Sequence, residues 1–97
     1  MTTFILFGTY SRESIAGIDA KRTRKAEEII EGFGGKLRSV FALLGSPDLV
    51  FIAEMPGVPE AMQASLMITR ATGISIKTTP AMPVADFDRL AAQAANP

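Results

Sequence analysis

Cysteine, histidine and tryptophan are absent from the 97 residues. Without cysteine no disulfide can form, which suits a cytoplasmic protein. Without cysteine and histidine together there is no zinc site of the Cys/His type, no His- or Cys-ligated haem and no imidazole for acid–base catalysis. Ser65 and Ser75 therefore lack a histidine with which to form a nucleophilic dyad. A charge surplus is missing too, since ten basic residues balance ten acidic ones. Nucleic-acid binders carry a basic excess and membrane-surface binders a polybasic segment, so neither partner is expected. No apolar run approaches the ~20 residues that span a bilayer. Met1-Thr2-Thr3-Phe4 has neither the basic region nor the apolar stretch of a signal peptide. No metal or cofactor is expected.

What the chain does have is apolar content: 47% hydrophobic residues against 21% charged ones. That balance specifies a folded chain, and the length fits a single domain over 1–97. Two runs stand out, Phe4-Ile5-Leu6-Phe7 and Leu49-Val50-Phe51-Ile52-Ala53. Neither alternates apolar with polar. Strand side chains point to opposite faces with period two, so an unbroken apolar run reads as a strand buried on both sides.

Thr3 to Tyr10 reads as the first strand, with Gly8 as a bulge or a close backbone approach. Ser11 to Ile18 is a connection with one helical turn ended at Gly17. Asp19 is an N-cap for a helix reaching about Phe33, with Ala26, Ile29, Ile30 and Phe33 on its inner stripe and Gly34-Gly35 as its stop. Lys36 to Leu44 is the second strand, on which Leu37, Ser39, Phe41 and Leu43 share a face. Gly45-Ser46-Pro47-Asp48 makes a tight turn, with Pro47 at the first corner, into a third strand from Leu49 to Met55.

Pro59 and Glu60 suit the first turn of a second helix. Its expected inner stripe is Val58, Ala61, Met62, Ser65, Leu66 and Thr69, and Gly73 closes it. Ile74 to Met82 is the fourth strand, with Pro80 and Pro83 marking an edge or an exit. Val84 to Ala95 is a short C-terminal helix with Val84, Phe87, Leu90 and Ala91 inward, and Asn96-Pro97 frays. Met55, Met62, Met67 and Met82 read as gap fillers.

The order β-α-β-β-α-β is the ferredoxin-like arrangement: an α+β fold with a four-stranded antiparallel sheet, helices on one face, and here a terminal helix. Strands one and three lie at its centre, and these are the two continuously apolar ones. The strands that alternate fall at the edges. One face of the sheet is left without helices, and a soluble chain rarely exposes such a patch. A second copy of the chain is the expected cover, giving a homodimer or a higher homo-oligomer.

Candidate ligand-binding residues are Tyr10 and Arg12 after the first strand, Arg38 on the second and Glu54 on the third. Glu54 has Arg38 or Lys77 as ion-pair partners. Asp48 and Glu54 share a face but stand roughly 20 Å apart along an extended strand, too far for a catalytic carboxylate pair. Asp48 reads as a turn residue. The basic cluster Lys21-Arg22-Thr23-Arg24-Lys25 near a helix start is either an anion site using Arg22 or Arg24, or a solvated face balanced by Glu27 and Glu28.

Several short motifs occur in a fixed order: Phe4 to Gly8 before Thr9-Tyr10, Gly34-Gly35-Lys36-Leu37, Gly45-Ser46-Pro47-Asp48-Leu49-Val50, Glu54-Met55-Pro56 and Thr78-Thr79. In this order and spacing the chain resembles the GYD domain family, small bacterial proteins of ferredoxin-like, dimeric α/β-barrel type. The family is named for a Gly-Tyr-Asp run in the hairpin. Here Gly45 and Asp48 match, and Pro47 stands where the tyrosine is expected. The resemblance implies fold and oligomerisation, with no catalytic residues to carry over. Two functions follow as expectations: a small-molecule-binding or scaffold module dimerising through its sheet, or a cofactor-independent monooxygenase or isomerase of a small aromatic or lactone substrate.

Overall fold

Strand β1 (Thr2–Thr9) opens the fold, followed by α1 (Arg12–Ala16), α2 (Ala20–Gly32), β2 (Lys36–Ala42), β3 (Leu49–Met55), α3 (Val58–Thr72), β4 (Ser75–Ala81) and α4 (Val84–Ala95). The structure is a computed structural model and describes residues 1–95. The expected fraying of Asn96-Pro97 lies outside them. The strands form one sheet in the order β2-β3-β1-β4, antiparallel throughout. The two apolar runs thus occupy the centre and the alternating strands the edges, as a ferredoxin-like sheet requires.

Local chemistry explains the helix ends. Ser11 and Ser14 form a reciprocal capping box at the start of α1, satisfying amides that have no intrahelical partner. The Asp19 carboxylate accepts from the Arg22 backbone N–H at 2.8 Å and starts α2. Where α2 gives way to β2, an added Cβ on Gly35 would lie 2.7 Å from the Glu54 carbonyl oxygen. Only glycine lets this link pass so close to β3. Gly8 is a close approach and not a bulge. Its register with Leu49 and Ile76 is unbroken, and a Cβ there would meet Ile74 at 3.1 Å.

Alternation splits the central strands between two environments. Phe4, Leu6, Phe51, Ala53 and Met55 point into the layer of α2 and α3 and are buried with Ile30 and Ile68. Ile5, Phe7, Val50 and Ile52 point to the opposite face and are half-buried. Among the described residues no helix covers that face. The shortest extent of the molecule is 18 Å, which accommodates one sheet and one helix layer of about 10 Å diameter, with no third layer.

Five expectations need correction. First, β2 does not keep period two: a bulge falls between Leu37, opposite Ala53, and Ser39, opposite Ile52. Leu37 therefore faces the helices, while Ser39 and Phe41 face the open side. Second, β2 ends at Ala42, not Leu44. The Leu43 N–H still donates to the Asp48 carbonyl at 2.7 Å, so the reversal spans Leu44 to Pro47, with a cis Ser46–Pro47 peptide.

Third, the inner stripe of α3 is Ala61, Ala64, Ser65 and Ile68, whereas Val58, Met62 and Leu66 are exposed. Small residues at the contact let the helix approach the sheet, and the larger apolar groups are left outside. Fourth, α4 buries no residue; Val84, Phe87 and Leu90 are all exposed. It leaves the end of β4 without packing closely on any other element. The radius of gyration of 14.9 Å, against about 13 Å for a compact domain of this length, reflects that extended end. Fifth, only Met55 fills a core gap. Met62, Met67 and Met82 lie at the surface.

Candidate functional site

The four candidate ligand residues fall into two pairs, at opposite ends and on opposite faces of the sheet. Thr3 is opposite Glu54, and Gly8 is opposite Leu49. Arg38 and Glu54 therefore flank the start of β1, while Tyr10 and Arg12 follow its end, roughly 20 Å away at strand rise. Within one chain the structure does not bring them together.

Arg38 and Glu54 form an ion pair, with Nε donating to Oε2 at 2.8 Å and Nη2 lying 2.6 Å from the same oxygen. It sits on the open face, and Glu54 thus takes Arg38 and not Lys77. Tyr10 turns toward the helix layer. Its backbone N–H donates to Asp48 Oδ2 at 2.8 Å, and its ring lies beneath the Arg22 guanidinium, 5.2 Å from centroid to Cζ. Arg22 also donates to the Ser14 carbonyl. This member of the basic cluster fastens α1 and β1 to α2, so it is engaged within the fold. Arg12 is exposed at the first position of α1.

Space is distributed unevenly. The gap beside Tyr10 between sheet and helices is about 30 Å³, the volume of one water. A groove of about 430 Å³ runs between α3 and β4, lined by Phe4, Met62, Leu66 and Pro80 among others. Its two hydroxyls are engaged: Ser65 Oγ and Thr78 Oγ1 lie 2.6 Å apart, and Ser65 donates to the Ala61 carbonyl at 2.8 Å.

A third space, about 360 Å³, lies on the open face and is lined by Phe7, Thr9, Ser46, Pro47, Ser75 and Lys77. The strands place four of these residues in a grid, with Phe7 opposite Lys77 and Thr9 opposite Ser75. The β2–β3 loop adds Ser46 and Pro47 as a wall. Asp48 holds that loop in place, accepting from Tyr10 N–H and donating its own N–H to the Gly8 carbonyl at 2.8 Å. The turn aspartate is thus also the fastener between the loop and β1.

The sequence alone does not reveal this space, because Pro47 reads there as a turn residue and Lys77 as a partner for Glu54. The signal was present in the alternation Ser75, Lys77, Thr79, but only the β1–β4 register shows that Lys77 stands beside Phe7. Among the described residues no cluster of acids suited to a metal ion occurs, and no helix is long and apolar enough to cross a membrane.

Sheet order, helix placement and the terminal helix define an α+β protein of ferredoxin-like architecture with one bare sheet face. The GYD domain matches residues 4–91 of the 97. The chain belongs to the GYD domain family. No curated protein matches it.

Proposed function

We propose that this protein is a cytoplasmic small-molecule-binding module that works as a homodimer, with two sheets meeting through their helix-free faces. One observation carries the reading. At the centre of the sheet Ile5, Phe7, Val50 and Ile52 form an apolar patch with no helix over it, extended by Phe41 on the edge strand. Burying such a patch is worth ~25 cal/mol per Å² of apolar surface removed from water, a strong drive for self-association. The Arg38–Glu54 pair and Lys77 would sit toward the rim, where charge is tolerated. The space beside Lys77 lies on the same face, so a partner sheet would close it.

Size exclusion with light scattering tests the assembly: a dimer is expected at micromolar concentration, and a stable monomer would overturn the reading. Native mass spectrometry of the purified protein tests for a retained small molecule.

The alternative is a cofactor-independent monooxygenase or isomerase acting on a small aromatic or lactone compound. The apolar groove between α3 and β4 favours it, because its volume falls within the ~300–1,000 Å³ of small-molecule sites. Against it, the hydroxyls there bond each other and no charged side chain lines the groove. Turnover of such a compound, abolished by narrowing the groove with Leu66→Trp at its exposed wall, would favour the enzyme over the binding module.

A further inference from the structure

We infer that the space bounded by β1, β4 and the β2–β3 loop is a binding site for a small carboxylate with an apolar, preferably aromatic, body. This names the ligand class for the proposed binding module and rests on that reading.

The chemistry is divided along the space. Lys77 supplies the only charge among the lining residues. No ion-pair partner is present for it among the described residues, because Glu54 is engaged by Arg38 near the opposite end of the sheet. Thr9 and Ser75, directly opposite each other, offer hydroxyl donors one pleat further along the same face. An ammonium with two hydroxyls one pleat away suits a carboxylate, since charge-assisted hydrogen bonds are about twice as strong as neutral ones. The Phe7 ring and the Pro47 ring provide apolar surface for the remainder of the ligand.

The carboxylate nearest in sequence to the wall, Asp48, accepts the Tyr10 amide and does not line the space. A cationic ligand would find no counter-charge there. With one cation and no second positive group lining it, the site favours a monocarboxylate over a phosphate. The volume of about 360 Å³ lies at the lower end of the range for small-molecule sites, which limits the ligand to a compact ring system.

The test is a ¹H–¹⁵N NMR titration of the full chain with benzoate, phenylacetate and 2-naphthoate, each beside its carboxamide. Saturable shifts of the Phe7, Ser46 and Lys77 amides are expected with at least one carboxylate, and binding of its carboxamide about tenfold weaker. Lys77→Gln should weaken the carboxylate by a similar factor of about ten, while Lys77→Arg keeps it within about threefold. Lys36→Gln, at the other end of the face, should change nothing.

Equal binding of carboxamide and carboxylate would overturn the ligand class while leaving a binding module in place. Unchanged affinity in Lys77→Gln would overturn the site. Absence of saturable shifts with every probe would overturn the inference as a whole. Light scattering on the same samples reports separately on the dimer, so its failure is distinguishable from failure of the ligand.

Discussion

The two faces of the sheet are built from the same strands and differ in what covers them. On one face Phe4, Leu6, Phe51 and Ala53 are at most 2% exposed beneath α2 and α3. On the other, their neighbours Ile5, Phe7, Val50 and Ile52 are comparably apolar and only half-buried. The sequence asks for burial on both sides, and the chain supplies helices for one. Stability therefore resides on the covered face, and the proposed assembly and ligand site reside on the other. Substitutions on the first should act through folding. Those on the second should act through association.

The largest effect is expected at Phe51, which points into the helix layer. Phe51→Asp buries a carboxylate without a partner, at a cost of several kcal/mol, comparable with the total stability of a small domain. Loss of a cooperative thermal transition by circular dichroism is expected. A folded Phe51→Asp variant would break the division between faces. Next is Gly35→Ala, whose methyl group collides with the Glu54 carbonyl. Overpacking of this kind costs about 1–3 kcal/mol, measurable as a lower urea midpoint, and an unchanged midpoint would contradict the close approach.

Asp48→Ala should cost about 1–2 kcal/mol in stability, because the Tyr10 amide loses a charged acceptor. Amide exchange at Tyr10 would report the change locally. The smallest effect is at Arg38→Met on the open face. The ion pair with Glu54 is substantially solvated, with the Arg38 side chain 49% exposed, so the expected loss is about 0–1 kcal/mol and falls further with salt. A larger loss in chemical denaturation would mean that the open face contributes to folding more than this division allows.

Much of the fold was legible in the residues. The two unbroken apolar runs identify the central strands because only a central strand is buried on both sides, and Asp19 and Gly73 mark helix ends by chemistry that acts locally. The β2 bulge was not legible, since Lys36-Leu37-Arg38-Ser39 reads as unbroken alternation and the extra residue becomes visible only against β3. The stripe of α3 was misplaced for a related reason. Hydrophobicity favours Met62 and Leu66 as inward residues, but the distance between helix and sheet favours Ala61, Ala64 and Ser65. Helix α4 has a clear apolar stripe, and no pattern within it says whether another element comes within reach of that stripe.

The candidate site was legible in kind and not in place. Tyr10 and Arg12 follow β1, and Arg38 and Glu54 lie on β2 and β3, as the sequence order implies. Their division between two ends and two faces depends on the register between β1 and β3. Lys77 and Pro47 meet only through the register between β1 and β4 and a loop fastened by Asp48, so nothing adjacent in sequence joins them.

The most direct test is the mass of Ile52→Asp in solution. Ile52 stands back to back with Phe51 on the same strand and points to the open face. Light scattering should give about twice the 10.3 kDa chain mass for the native protein. The variant should give a single chain mass with its helical signal intact, since the change touches only the face assigned to association. A native protein that runs as a monomer, or an Ile52→Asp variant that remains a dimer, would contradict the account.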